Sequence, residues 1–193
     1  VAVLLAAAWI GYGLWGGRTG KGKPQPPREA LPKPTEQMAV TLFFSDDQAE
    51  YLVAEVRRVS KATGASAMAG AVIREVILGP RSGLQPTMPK GTVLRRDPVC
   101  QGGSCTLDFS EELVRNHPGG TSMELMTVYS IVESVRANVP GVRAVQILVE
   151  GKARETLAGH IAIGGPVQTD PRFIRNQRSS GDDPRSVINR GPA

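Results

Sequence analysis

The chain has 193 residues, 40% of them apolar, which accommodates one ordinary domain with appendages. Its net charge of +5 lies at the ends: residues 1–39 carry five basic and two acidic side chains, residues 171–193 again five and two, and residues 40–170 thirteen and fourteen. A centre of net charge −1 with few aromatics (5% of the chain) lacks the basic, stacking face that nucleic-acid binding requires.

Residues 1–17, VAVLLAAAWIGYGLWGG, hold no charged side chain and as a helix would span about 25 Å. Trp9, Tyr12 and Trp15 gather toward the end of the run, where their rings suit the boundary between acyl chains and headgroups. The run reads as a single transmembrane anchor. A cleaved signal would need a small-x-small site after the run, and the one candidate, Ala6 to Ala8, lies inside it; no cysteine follows for a lipid anchor. Arg18, Lys21 and Lys23 come next and, taken alone, favour a cytoplasmic continuation. Residues 18–39 form a proline-rich linker, an extended spacer of roughly 3.1 Å per residue.

VTLFF (40–44) and YLVAEVRRVS (51–60) predict a hairpin around the Asp46-Asp47 turn. In the second strand Leu52, Ala54 and Val56 share one face and Glu55 and Arg57 the other, the alternation of a half-buried strand. Ala69, Val72, Ile73, Val76 and Ile77 recur at helical spacing, and Gly79-Pro80 stops that helix. GTVLRRDPV and SCTLDFS predict a second hairpin turning at Gly102-Gly103. Ser110 ahead of Glu111 and Glu112 reads as a helix N-cap. A second long helix opens at Thr121 with Glu124 completing a capping box, and stripes Leu125, Val128, Val132, Val135 and Val139. Glu133, rotated about 100° from Val132, falls off that stripe, so its truncation should be silent. AVQILVEG (144–151) closes the unit as a central strand. The order β-β-α-β-β-α-β predicts an α+β domain over 40–170, with a mixed sheet and two amphipathic helices packed on one face. Residues 171–193, rich in Arg, Ser, Gly and Asp, predict a disordered basic tail.

Cys100 and Cys105 are the two thiols. With His117 and His160 they could make a zinc site only if all four converged from distant segments, and a redox pair would more typically be C-x-x-C at a helix start. As the closing pair of a four-residue loop their alpha carbons would lie about 4.5 to 5.5 Å apart, within disulfide reach. A staple is therefore favoured over free structural thiols, given an oxidising compartment. No nucleophile-elbow, phosphate-loop, dinucleotide or zincin motif is present, and nothing in sequence pairs with His160 as a general base. Catalytic, metal and cofactor-binding residues are accordingly none.

ILGP (77–80), GLQPTMPKGTVL (83–94), TLDFSEEL (106–113), GGTSMELMTVYSIVESV (119–135) and VQILVEGKARETLAGHI (145–161), in that order, resemble the GerMN domain of the sporulation and spore-germination family. The resemblance implies a non-enzymatic domain held outside the cytoplasmic membrane, periplasmic or at the cell surface, and similar to ring-building domains. It places residues 40–170 on the extracytoplasmic side and strengthens the staple at Cys100 and Cys105. The lipoprotein cysteine common among sporulation members is absent, so a germination role is not carried over. The implied partners are envelope proteins or copies of the chain itself, with the membrane engaged through the N-terminal helix. A peptidoglycan-binding or wall-hydrolase-regulating module is the alternative.

Overall fold

The computed structural model describes residues 36–175. The anchor expected at 1–17, most of the linker 18–39 and most of the tail 171–193 lie outside the described residues. Among the described residues no helix is long and apolar enough to cross a membrane. The elements run β1 (Gln37–Ser45), β2 (Leu52–Ser60), α1 (Ala65–Ile77), β3 (Val99–Gln101), β4 (Ser104–Phe109), α2 (Glu112–Arg115), α3 (Thr121–Asn138), β5 (Ala144–Val149) and β6 (Val167–Gln168), ending in a 3-10 turn, Pro171–Phe173. The folded unit is wider than 40–170 at both ends. Met38 pairs with Val59 in β1, while Phe173 stacks on Tyr129 at 4.3 Å and Ile174 bridges Leu52. Each of these three apolar side chains finds a hydrophobic partner.

The domain is α+β, but its strands form two sheets where one was expected. β1 and β2 pair antiparallel from Gln37↔Ser60 to Ser45↔Leu52; the other sheet has the order β3-β4-β5-β6, with β4 and β5 parallel. One hydrophobic cluster takes in side chains from both sheets and from α1 and α3, among them Leu42, Phe44, Ile73, Leu107, Val132 and Ile147. The sheets stay separate because the open edge of β1 is occupied. Thr41 donates its N–H to Asn138 Oδ1 (2.9 Å) and accepts from Asn138 Nδ2 (2.6 Å); Phe43 donates to Ser134 Oγ (3.0 Å) and accepts from Ser130 Oγ (2.6 Å). Ser130, Ser134 and Asn138 recur every four residues, so they stand one above another on α3. The helix lies along β1 where a third strand would otherwise pair.

This role makes α3 far more buried than its apolar stripe predicts. The apolar stripe is present, with Val128, Val132, Val135 and Val139 in the core, but Glu124, Thr127, Ser130, Glu133 and Ser134 are buried as well. The expected capping box does not form: Gly120 is the N-cap and no side-chain bond caps the helix. Glu133 is not a solvent-facing residue. It is fully buried, accepts the Asp170 N–H at 2.8 Å and pairs with Arg136 at 3.1 Å, which pins the chain after β6 to the helix.

The polarity of β2 is inverted in the same way. Ala54 and Val56 face solvent, Val56 with 68% exposure, whereas Glu55 and Arg57 point inward. Their partners explain it. Arg57 bonds Glu55 and Glu75 and donates to the Gly79 carbonyl, with its guanidinium 5.2 Å from the Phe44 ring centre. Glu55 accepts in addition from Ser82 Oγ and the Arg81 N–H. Burial would raise the Glu55 pKa, yet Ser82, the Arg81 N–H and Arg57 together hold it below the usual carboxylate value. A charged pair thus clamps the end of α1 beneath the hairpin.

Two expected outcomes follow for α3. Asn138→Ala should destabilise the domain by about 2 to 3 kcal/mol, since both edge groups of Thr41 lose their partner. Glu133→Ala should cost about 1 to 3 kcal/mol by exposing the unpaired Asp170 N–H, where a surface glutamate would be silent. Urea unfolding monitored by circular dichroism measures both, and values within error of the parent would place these side chains outside the helix's contacts.

Candidate functional site

The cysteine hairpin is built by its turn. Gly102 and Gly103 have φ of 60° and 80°, the paired left-handed conformations of a two-residue hairpin turn that other residues resist. The turn sets Gln101 opposite Ser104 and Cys100 opposite Cys105, with alpha carbons 4.0 Å apart and the two sulfurs joined in a disulfide. β3 is shorter than the strand expected from GTVLRRDPV, as Pro98 lacks a ladder donor; only a single bridge, Leu94↔Phe109, extends the pairing. The Cys100 N–H donates to Ser66 Oγ at the start of α1, and Gly103 accepts from Arg143 just before β5. Cys105 is fully buried in the core. The cross-link therefore lies between three elements, with one sulfur withdrawn from solvent.

The two most distinctive sequence passages, 106–113 and 145–161, prove to be neighbours. β4 and β5 pair in register Asp108↔Leu148 and Phe109↔Val149, and their carboxyl ends carry a cluster of charges. Asp108 accepts the Gly151 N–H (2.7 Å), Arg95 (3.0 Å) and Arg96 (3.3 Å). Both oxygens of Glu111 lie 2.8 Å from Arg154 Nη2, and the Glu111 N–H donates to Glu150. Glu150 and Gly151, with φ of 53° and 76°, form the two-residue turn that these contacts hold. Ser110 does not cap α2; its hydroxyl accepts the Val93 N–H at 3.1 Å, and Glu111 stands at the cap position. Asp108 and Glu111 of DFSEEL are thus consumed in holding two loops together, while Glu112 pairs with Arg115 within α2.

His160 does have a partner, and it is Glu124. Sequence spacing hid the pair because 36 residues separate them. The fully buried Glu124 accepts N–H groups of Ala158 (3.1 Å), His160 (3.1 Å) and Ile161 (2.9 Å) on one oxygen and His160 Nδ1 (2.7 Å) on the other. Burial alone would raise its pKa, but the Ile161 N–H, the His160 ring and the other loop N–H groups outweigh that and bring it down to about 2. The loop is wrapped around a carboxylate. His117 lies elsewhere, on α3's other contact: its Nδ1 accepts the Gly119 N–H (2.9 Å) and its Nε2 faces Thr127 Oγ1 (3.1 Å), an arrangement suited to the neutral ring. Burial pushes its pKa down accordingly. The histidines do not converge with the cysteines, and among the described residues no group of three or more His, Cys, Asp and Glu is placed to hold a metal ion.

An open cleft of about 390 Å³ lies between the end of α1 and the loop 84–92, lined by Ile77, Leu78, Leu84, Pro86 and Met88, with Lys90 also in its wall. A second of about 220 Å³ continues it past Pro118 and Met123. Their walls mix apolar side chains with the polar side chains of Thr87, Lys90, Thr92, Asn116 and Thr127. No carboxylate or histidine is among the residues that line the larger cleft.

Fold and site together define a small α+β domain whose polar groups are arranged to hold loops in place. A family model for sporulation and spore germination, Germane, matches residues 41–155, and the chain belongs to that family. A crystal structure of a candidate lipoprotein from Clostridium perfringens is similar in fold, with 21% identity, a TM-score of 0.51, and coverage of 70% of this chain and 89% of that one. The tandem GerMN domains of the sporulation protein GerM from Bacillus subtilis match at 22% identity and a TM-score of 0.54, covering 73% of this chain and 48% of that chain. No curated protein matches the chain.

The Glu124 clamp has a pH signature. Because its folded pKa is depressed, the clamp contributes in full above the ordinary carboxyl value of 4.5 and loses its contribution as pH falls from there toward 2. The contribution is about 3 kcal/mol. Glu124→Gln should remove most of that acid-side slope and destabilise the domain at neutral pH, as read by thermal melts at stepped pH; an unchanged slope would assign it to other groups. Cys100→Ser with Cys105→Ser should lower stability by only about 1 to 3 kcal/mol, the loop being short. Intact mass with and without reductant should differ by two hydrogens, and two alkylatable thiols in freshly isolated protein would overturn the staple.

Proposed function

We propose that this chain is a non-catalytic envelope protein, tethered to the cytoplasmic membrane by its N-terminal apolar run, whose extracytoplasmic domain binds other proteins or its own copies. One observation carries the reading: the domain's polar side chains are spent on its own loops. Among the described residues no buried side-chain nitrogen or oxygen lacks a partner, and the acidic groups at the ends of β4 and β5 are matched by Arg95, Arg96 and Arg154. Among the exposed side chains are the apolar Val56, Leu78, Val93 and Val99, each more than half exposed. Such groups favour contact with another protein over turnover of a small polar substrate. Family membership and the charge-free run at 1–17 support placing that surface in the envelope.

Because residues 40–170 are close to neutral, association through the domain should survive moderate salt, whereas contacts made by the arginines beyond 175 would be screened over about 8 Å. Arg175 itself pairs with Asp46, so the informative truncation falls after it. The full chain and a chain ending at Arg175 should sediment alike in low and high salt and should both be recovered with the same membrane partners. Loss of all association on truncation, with retention on purified sacculi by the full chain alone, would replace this reading by tail-driven binding to wall polymer.

A further inference from the structure

The two edges of the first hairpin are treated differently. In an antiparallel pair, successive residues turn their N–H and C=O alternately toward the partner and away from it. Thr41 and Phe43 turn theirs to α3, so the residues facing them, Val56 and Ala54, turn theirs to the far side of β2, as does Arg58 opposite Ala39. Leu52 belongs to the same series and accepts the Arg175 N–H at 2.8 Å. Beyond it, the backbone groups of Ala54, Val56 and Arg58 have no partner among the described residues, and all three side chains are exposed. An unpaired edge of this kind, with an apolar residue at its middle, is a template for another strand.

The sequence of that edge, Ala-Glu-Val-Arg-Arg, is complementary to itself in one register. A two-fold axis at Val56 sets Ala54 opposite Arg58, Glu55 opposite Arg57 and Val56 opposite its own copy, so no like charges meet. Axes at Glu55, Arg57 or Arg58 would put a charge against itself. An axis at Ala54 would require the edge of Leu52, which Arg175 already holds. Registration on Val56 also aligns the outward N–H and C=O groups, giving about six backbone hydrogen bonds. We propose that the Ala54–Arg58 edge of β2 pairs antiparallel with the same edge of a second copy, about a two-fold axis at Val56. The inference deepens the association reading above and rests on it. The contact is smaller than a standard stable interface, so the dimer should be weak and concentration-dependent.

Cross-linking of the full 193-residue chain in detergent tests it. Facing alpha carbons in a hydrogen-bonded pair lie about 5.5 Å apart, within disulfide range. Val56→Cys should therefore form a 56–56 dimer on mild oxidation, located by peptide mass. Ala54→Cys and Arg58→Cys should each fail to link to themselves and should link to each other when mixed. Val56→Lys, at an exposed position, should melt like the parent and weaken association at least tenfold by sedimentation. If Val56→Lys does not fold, the cross-linking pattern decides alone. Association undiminished in Val56→Lys, or 54–54 links as strong as 56–56, would overturn edge pairing while leaving association through another surface in place. A parent that is monomeric and never cross-links at 56 would also overturn it. A dimer that forms only after removal of residues 176–193 would overturn it in favour of the chain's own tail as occupant of the edge.

Discussion

The structure depends on how one helix satisfies a strand edge. A two-stranded hairpin is marginal by itself and exposes a row of backbone groups on each side. In this domain α3 supplies Ser130, Ser134 and Asn138 at four-residue intervals, and their short side chains reach the N–H and C=O groups of Thr41 and Phe43. Short polar side chains let the helix approach closely while its valines remain free for the core. The same helix holds the 158–161 loop through Glu124, the Thr87 carbonyl through Thr127 and the chain at Asp170 through Glu133. Four separate segments thus take their positions from one element.

Burying those charges has a consistent logic. A buried carboxylate is costly unless several donors converge on it. Glu124 receives three backbone N–H groups and an imidazole, Asp108 a backbone N–H and two arginines, and Glu55 an arginine, a hydroxyl and a backbone N–H. In each case at least one donor is backbone from an irregular segment. Loops that would otherwise present unpaired N–H groups are therefore ordered around a carboxylate delivered by a regular element, the reverse of an active-site loop that presents groups to a ligand.

The functional reading draws on the same economy. The cysteine hairpin, the charged ends of β4 and β5 and the Glu124 loop all spend their chemistry internally, and the larger cleft has no carboxylate or histidine in its lining. What remains for recognition is the surface of a neutral domain, which includes the strand edge from Ala54 to Arg58.

By itself the sequence determined the class of fold, most of the elements and the cysteine turn. Those features are local: period-two and helical spacing, Gly79-Pro80 as a stop, and Gly102-Gly103 as the turn that opposes Cys100 to Cys105. Only the tertiary structure decided which polar residues are inside. Glu55 and Arg57 read as a solvent face, and Glu133 as an exposed position, because alternation registers polarity and not the presence of a distant partner. Glu124 and Thr121 have the spacing of a capping box, yet three N–H groups 34 to 37 residues away compete for the carboxylate and win. The separation of the sheets was hidden for the same reason: Ser130, Ser134 and Asn138 look like the wet side of a helix until the edge of β1 is laid against them.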